Sequence, residues 1–327
     1  MPLNITIIGL DAIGASLGLA LGTLEQTALR SGRPRITGWD EDRRIVRDAR
    51  GRLAIDREAA DLADAVREAD VVFLSLPSNR LGPTFDAIAP HIKHGAIISD
   101  LTSTKVQALQ QAQLQLPTTV AFISGHPLVN PGGSRLRDAS LDLFKNTIFC
   151  LLPGAHAQPG AIDLVDELVN AIGAKPYYID AAEHDAYIAG VRQLPLVVSA
   201  ALMETLSRSG GWREMQPIAG KPLHTTTQLV TADALSSSAS CHGNRAAVER
   251  WINDLIRTLV ELRDNLDNAE QLEAFFSQAQ TAHEQWLDAQ PNMRPGENDF
   301  YQEPEDVRRG LGAMLFGQRK RNPDKKR

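Results

Sequence analysis

Asn4-Ile5-Thr6-Ile7-Ile8-Gly9-Leu10-Asp11-Ala12-Ile13-Gly14-Ala15-Ser16-Leu17-Gly18 decides the fold of this chain. Asn4 to Ile8 is a short β-branched apolar run, which favours a strand. Gly9 permits a tight turn. Gly14 lets a following helix pack close to the strand. Leu17 to Arg30 continues as an apolar, helix-compatible segment. Strand, glycine turn and helix start, in that order, open a dinucleotide-binding βαβ unit, where free N–H groups at the helix N-terminus favour a pyrophosphate. The expected cofactor-binding residues of this turn are Gly9, Leu10, Asp11, Ala12, Ile13 and Gly14. One letter departs from G-x-G-x-x-G. The middle glycine is Asp11, whose carboxylate adds bulk and negative charge where backbone normally approaches phosphate. A plain βα turn with an N-capping Asp is the competing reading.

Working outward, Arg35-Ile36-Thr37-Gly38-Trp39 reads as the second strand with Asp40 at its end. An acid there can bond the adenosine ribose hydroxyls and favours NAD over NADP. Arg43 and Arg44 follow, and can hold a 2′-phosphate if Asp40 turns away, so NADP stays possible. Further strands are expected at Ala69–Pro77, Gly95–Asp100, Val120–Ser124, Thr147–Leu152 and Lys175–Ile179. Helices are expected at Glu41–Ala49, Leu81–Ile92, Thr104–Gln115 and Ala161–Ile172. This alternation with short links indicates a doubly wound parallel sheet. Strand signals stop near Asp180. His184–Ser207, Arg245–Asp264 and Ala269–Ala289 carry apolar residues at helical spacing, with the polar Ser236–Ser240 between helices. The expected organisation is an α/β domain over 1–180, an all-α domain over 181–290 that contacts substrate and dimerises, and a loop, short helix and basic tail over 291–327.

Composition sets limits. The chain has 327 residues and a net charge of −6, so no general basic surface for nucleic acid is expected. The basic tail from Arg319 reads as a solvated end. Two cysteines, Cys150 and Cys241, form no motif, which suits a reducing compartment. With no signal-like N-terminus, and Leu194–Leu202 too short to cross a bilayer, the expectation is a cytoplasmic protein without membrane contact.

Ligands bind at strand C-termini in such sheets. Three segments lie there. Pro77-Ser78-Asn79 is an edge of the cofactor cleft, with Leu76, Pro77 and Ser78 expected to bind the cofactor. Asp100-Leu101-Thr102-Ser103-Thr104-Lys105 is a polar turn opening a helix, in which Ser103 or Thr102 can equally be a helix cap. Ser124-Gly125-His126-Pro127-Leu128 fixes a histidine just past a strand, where it can take a substrate proton near neutral pH. His184-Asp185 is a second candidate, although a sequence neighbour need not orient the ring. The remaining histidines suggest no metal site.

These motifs together resemble the prephenate and arogenate dehydrogenases of tyrosine biosynthesis. The likeness runs from Asn4 to Leu266. It includes Gly38-Trp39-Asp40, the Ser103-Thr104-Lys105 turn, Gly125-His126-Pro127-Leu128, Asp142-Leu143-Phe144, His184-Asp185, Leu194-Pro195, Thr226-Thr227 and Asn244-Arg245. The resemblance implies a Rossmann-type domain followed by a helical one. It implies hydride transfer from a ring carbon to the nicotinamide, loss of a proton to histidine, and decarboxylation. His126 is then the acceptor, Ser103 supports the substrate hydroxyl, Lys105 shares its turn, and His184 lies on the helical side of the cleft. The partners implied are a small acidic substrate and a second copy of the chain.

Two further departures stand out. The family's Ser-His-Leu-Pro-His reads Arg192-Gln193-Leu194-Pro195-Leu196. Its Thr-Arg-Ile reads Thr227-Gln228-Leu229. Exchanging a carboxylate-gripping Arg for Gln228 costs about 2–4 kcal/mol of binding. Arg192 is a new cation expected to take over that contact, with Gln193 and Gln228 lining the substrate site. A related dehydrogenase with another substrate, and a non-catalytic binding protein disabled by Asp11, are the alternatives.

Overall fold

The computed structural model describes residues 2–130, 132–231 and 234–289. The expected loop over Gln290–Glu305 and the basic tail lie outside the described residues.

Eight strands form one sheet in the order β3-β2-β1-β4-β5-β6-β7-β8. They are β1 (Asn4–Ile8), β2 (Arg35–Trp39), β3 (Arg57–Glu58), β4 (Val71–Leu74), β5 (Ile97–Asp100), β6 (Ala121–Pro127), β7 (Ile148–Pro153) and β8 (Lys175–Tyr178). The β1, β4 and β5 strands are buried along nearly their whole length, as expected of strands covered by helices on both faces. All pairs are parallel except β6–β7, where His126 lies opposite Cys150 in an antiparallel register. That reversal departs from an all-parallel expectation. The two-residue β3 lies outside the expected strands, since Arg57-Glu58 carries no apolar signal.

The connecting helices are α1 (Ala12–Gly22), α2 (Arg43–Gly51), α3 (Leu62–Val66), α4 (Ser78–Ile88), α5 (Val106–Gln115) and α6 (Pro159–Ala171). One apolar core lies on each face. Ile5, Ile7, Leu17, Leu21, Phe73 and Phe149 mark one, and Ile8, Val72, Leu74, Phe85 and Ile98 the other.

After the sheet comes α7 (Ala181–Ile188), a π-helical turn (Ala189–Gln193) and α8 (Leu194–Ser207). The wide turn sits where Pro195 removes a backbone donor from the first turn of α8. Contrary to the expectation that no apolar run approaches membrane-spanning length, Ala181–Ser207 is a 27-residue helix in which an 18-residue stretch has a mean hydropathy of 1.4, long and apolar enough to cross a bilayer by length and composition. Its buried positions nevertheless include His184, Asp185, Gln193 and Ser199, each hydrogen-bonded inside the protein. Short helices α9 (Trp212–Met215) and α10 (Gly220–Thr227) precede α11 (Ala234–Gly243). The Ser236–Ser240 stretch, expected between helices, is part of α11 itself. Serine is only mildly unfavourable in a helix, and Ser240 has tertiary partners on two sides.

Compactness divides the chain within α12 (Arg245–Asp264), into one unit ending at Asp254 and another from Leu255. The second unit contains the end of α12 and α13 (Ala269–Ala289), with Ile256, Leu259, Phe276 and Trp286 exposed. The site described below lies in the first unit.

Candidate active site

The C-terminal ends of β1, β2, β4, β5 and β6 share one edge of the sheet, because these strands are parallel. They bring Gly9, Asp40, Leu76, Pro77, the Asp100–Lys105 turn and His126 to that edge.

Gly9 has φ +90°, and a Cβ there would lie 2.0 Å from the Ser75 carbonyl oxygen. Only glycine meets both conditions. A Cβ on Gly14 would lie 2.1 Å from the Gly9 carbonyl oxygen, so the close packing expected of it is present. Asp11 is the N-cap of α1. Its Oδ1 accepts from the Gly14 N–H at 2.8 Å and the Ser75 hydroxyl at 2.6 Å. Thus the departure from the glycine pattern is a cap, and its carboxylate rests on the helix N-terminus where an anion would be held. Burial raises the Asp11 pKa above the usual carboxylate range, partly offset by those donors and reinforced by the charge of Asp40. Ala12 N–H is also engaged, donating to the Ser134 carbonyl at 3.3 Å.

Asp40 accepts from the Leu10 N–H at 3.0 Å and the Asp42 N–H at 3.0 Å, which fixes it at the rim of the turn. A cleft of about 370 Å³ opens beside it, lined by Gly9, Trp39, Asp40, Leu76, Pro77 and, from α11, Leu235. Glu41 and Arg80, paired with each other, also line it. A largely apolar slot with the Asp40 carboxylate at its rim fits an adenosine. Arg44 pairs with Asp42 at 2.8 Å and Arg43 donates to the Ala59 carbonyl. Both cations thus have partners, consistent with NAD. Ser78 does not face this cleft as expected: it is buried, accepting from the Thr104 hydroxyl at 3.0 Å.

His126 is buried near the end of β6. Its Nδ1 lies 2.9 Å from His184 Nε2, and His184 Nδ1 lies 2.8 Å from Asp185 Oδ1. Asp185 also accepts from the Lys105 N–H at 2.8 Å and the Val106 N–H at 2.9 Å, so it caps the start of α5. The order of partners assigns the protons. A carboxylate only accepts, so His184 Nδ1 carries hydrogen. His184 Nε2 then accepts from His126 Nδ1, which leaves His126 Nε2 with a lone pair. Burial, followed by the nearby positive charges of Lys105 and Arg192, holds the His126 pKa well below 6.5. The ring is therefore neutral at pH 7 and can accept a proton. Asp185, discounted as a mere sequence neighbour, is the anchor of this chain.

Lys105 is fully buried. Its Nζ donates to Asp100 Oδ2 at 2.6 Å, Ser124 Oγ at 3.0 Å and the Gly125 carbonyl at 2.7 Å. All three ammonium protons are used inside the protein. Lys105, grouped with the catalytic residues because it shares the Ser103 turn, therefore has no proton free for substrate: it ties the β5 end to the residue preceding His126. Burial lowers its pKa, opposed by Asp100.

Ser103 Oγ lies 2.8 Å from Ser240 Oγ of α11. Arg192 donates from Nη2 to the Val129 carbonyl at 2.9 Å, on the loop just after His126. Gln193 is buried, and both ends of its amide are engaged by Ser240 and Asn244, so its expected place on the substrate surface is not found. Gln228 lies exposed on the turn Gln228–Thr231. Among the described residues no group of acids, histidines and cysteines could hold a metal ion.

Comparison with known proteins agrees with this geometry. The family model described as prephenate dehydrogenase, nucleotide-binding domain, matches residues 27–178, and that described as prephenate dehydrogenase, dimerization domain, matches residues 180–280. The chain is 31% identical over 206 residues to the cyclohexadienyl dehydrogenase of Zymomonas mobilis, covering 62% of this chain and 67% of that one. It is 26% identical over 296 residues to the prephenate dehydrogenase of Bacillus subtilis, covering 84% and 74% respectively. Prephenate dehydrogenase from Aquifex aeolicus, solved with hydroxyphenyl propionate and NAD+, shares the fold at a TM-score of 0.78 and 20% identity, over 87% of this chain and 98% of that one. The chain belongs to the prephenate dehydrogenase family.

Proposed function

We propose that this protein is an NAD-dependent dehydrogenase that oxidatively decarboxylates prephenate or its amino counterpart arogenate, with His126 as the base. The observation that carries the assignment is the Asp185–His184–His126 chain, which presents an unprotonated Nε2 at the sheet edge next to the Ser103 turn.

Bound NAD supplies a hydride acceptor. His126 Nε2 takes the proton of the ring alcohol as the C–H bond to that carbon breaks and the alcohol becomes a carbonyl. The ring carboxylate then leaves as carbon dioxide. The electrons of its C–C bond pass through the ring to the oxygen, which becomes a phenolate. Ser103 donates to that oxygen and Arg192 pairs with a substrate carboxylate. Lys105 acts at one remove, through the backbone of Gly125. His126 as an acceptor contributes about 10²–10⁴-fold to the rate.

The dinucleotide is held by the Gly9–Gly14 turn, Asp40 and the Leu76-Pro77 edge. Asp11 sets a pH dependence on that binding. Its carboxylate, when ionised, repels the pyrophosphate; when protonated, it does not. Because the Asp11 pKa is raised, NAD affinity falls as pH rises through that pKa. The substitution Asp11→Asn keeps the cap and removes the charge. We expect it to tighten NAD binding roughly tenfold at pH 7 and to flatten its pH dependence. Calorimetric titration checks both. Equal affinity for wild type and variant would show that Asp11 carries no charge cost.

Arg192→Ala should raise KM for prephenate by roughly 10–100-fold, since a charge-assisted carboxylate contact is worth about 1.5–3 kcal/mol. An unchanged KM would remove Arg192 from the substrate site. A different cyclic substrate is favoured by one feature, the neutral Gln228 in place of the family's arginine. A panel of prephenate, arogenate and uncharged analogues separates the readings.

We place the domain boundary near residue 180, supported by the junction of the two family matches between 178 and 180. We assign a homodimer formed through the helical region, supported by exposed apolar side chains including Val191, Ile218, Leu259, Phe276 and Trp286. We assign the protein to the cytoplasm, with no nucleic-acid or membrane partner.

A further inference from the structure

We propose that Ser240 is a positioning residue of this enzyme, the last link of a directional hydrogen-bond chain, Asn244 to Gln193 to Ser240 to Ser103, that orients the Ser103 hydroxyl as a donor into the active site. The inference rests on the functional reading above and adds residues to it.

The orientation of the two amides is fixed by backbone carbonyls, which cannot donate. Asn244 Nδ2 faces the Asp185 carbonyl at 2.7 Å, so the amide nitrogen is on that side. The same nitrogen donates to Gln193 Oε1 at 2.8 Å. Gln193 Nε2 in turn faces the Ser240 carbonyl at 3.0 Å, which independently requires nitrogen there. It also donates to Ser240 Oγ at 2.9 Å. Ser240 Oγ thus accepts one hydrogen bond from Gln193, and the proposed chain continues in the same sense, with the Ser240 proton given to Ser103 Oγ, 2.8 Å away. Ser103 then accepts from behind and keeps its proton for the substrate oxygen. A hydroxyl polarised in this way is the stronger donor.

The chain has a physical logic at each end. Gln193 and Asn244 are buried, so their amides must be satisfied internally. Asn244 also bonds the carbonyl of Asp185, whose side chain anchors His184. One asparagine thereby braces both the donor arm through Ser103 and the acceptor arm through His126. Ser240 sits on α11, far in sequence from the β5 turn, so α11 must be seated for Ser103 to be aimed. Gln193 occupies a position where the family carries histidine. Here it serves the hydroxyl from behind and has no amide proton left for substrate.

The test uses the full-length protein with NAD. Ser240→Ala should lower kcat about tenfold, the usual scale for one lost hydrogen bond in a rate, with KM for NAD and for prephenate within about twofold. Ser240→Thr, which restores a hydroxyl, should recover kcat to within about threefold of wild type. The decisive readout is the double variant. In a Ser103→Ala background, Ser240→Ala should cost nothing further, because the group it orients is gone. A tenfold loss in both backgrounds would mean a general structural effect and would overturn the inference, as would an unchanged kcat for Ser240→Ala in an active enzyme. Calorimetry with hydroxyphenyl propionate and NAD gives a second readout. Ser240→Ala should weaken this phenol about tenfold, and equal affinity would count against the chain. A wild-type protein that neither turns over nor binds the phenol would overturn the functional reading itself, a result distinct from normal turnover by the Ser240 variant.

Discussion

His126→Asn lowers kcat for prephenate oxidation by about 10³-fold, within the usual 10²–10⁴ range for losing a positioned general base, while NAD affinity stays within a factor of about two. Asparagine keeps a donor toward His184 but has no basic nitrogen. The folded site persists, so the loss falls on kcat. The pH profile carries the same information. Burial and the cations Lys105 and Arg192 disfavour the imidazolium of His126 and push its pKa well below 6.5. The base is active when neutral, so activity is lost only as pH falls through that depressed value. The acid limb of kcat/KM should therefore lie below pH 6.5, the ordinary histidine value. An acid limb at or above 6.5, or an Asn variant with more than about a tenth of wild-type kcat, would mean that another group takes the proton.

Lys105→Met should destabilise the protein by about 3–5 kcal/mol, the scale for breaking a buried ion pair from one side. The methionine fills the volume but leaves the Asp100 carboxylate buried, with only Thr102 and Ser124 as donors. Asp100→Asn in the same chain removes the stranded charge and should recover part of the loss. Urea denaturation of the three variants measures this. A Lys105→Met protein within about 1 kcal/mol of wild type would show that the pair contributes little to stability. Because Lys105 also donates to the Gly125 carbonyl, residual folded protein should turn over slowly from a displaced His126, with KM for NAD unchanged.

Much of the fold was legible because its physics is local. A β-branched run, a glycine with positive φ and a close strand–helix contact are written in consecutive residues, Asn4 to Gly14. Buried parallel strands such as Val71–Leu74 announce themselves as unbroken apolar runs. The short β3 and the reversed β7 could not be read, since Arg57-Glu58 has no pattern and strand direction depends on distant pairing. In the site, His126 was legible from the rigid Gly-His-Pro turn at a strand end. Its partners were not. Asp185 looked incidental because a neighbour in sequence points elsewhere in most conformations, yet the helix start of α5 draws its carboxylate into line with His184. Ser240 and Asn244 approach from α11 and beyond, where spacing says nothing about contact. In sequence, Asp11 stands as an obstacle at the phosphate turn. Its use of the Gly14 N–H and the Ser75 hydroxyl shows why the residue is tolerated by the fold, whatever it costs in affinity.

The most direct test of the account is a turnover assay of the purified protein with NAD and prephenate, in parallel with arogenate, following NADH and the aromatic product together. The account predicts NADH and phenolic product in equal amounts from at least one of the two substrates, and none from the His126→Asn protein. NAD binding without NADH from either substrate would contradict it.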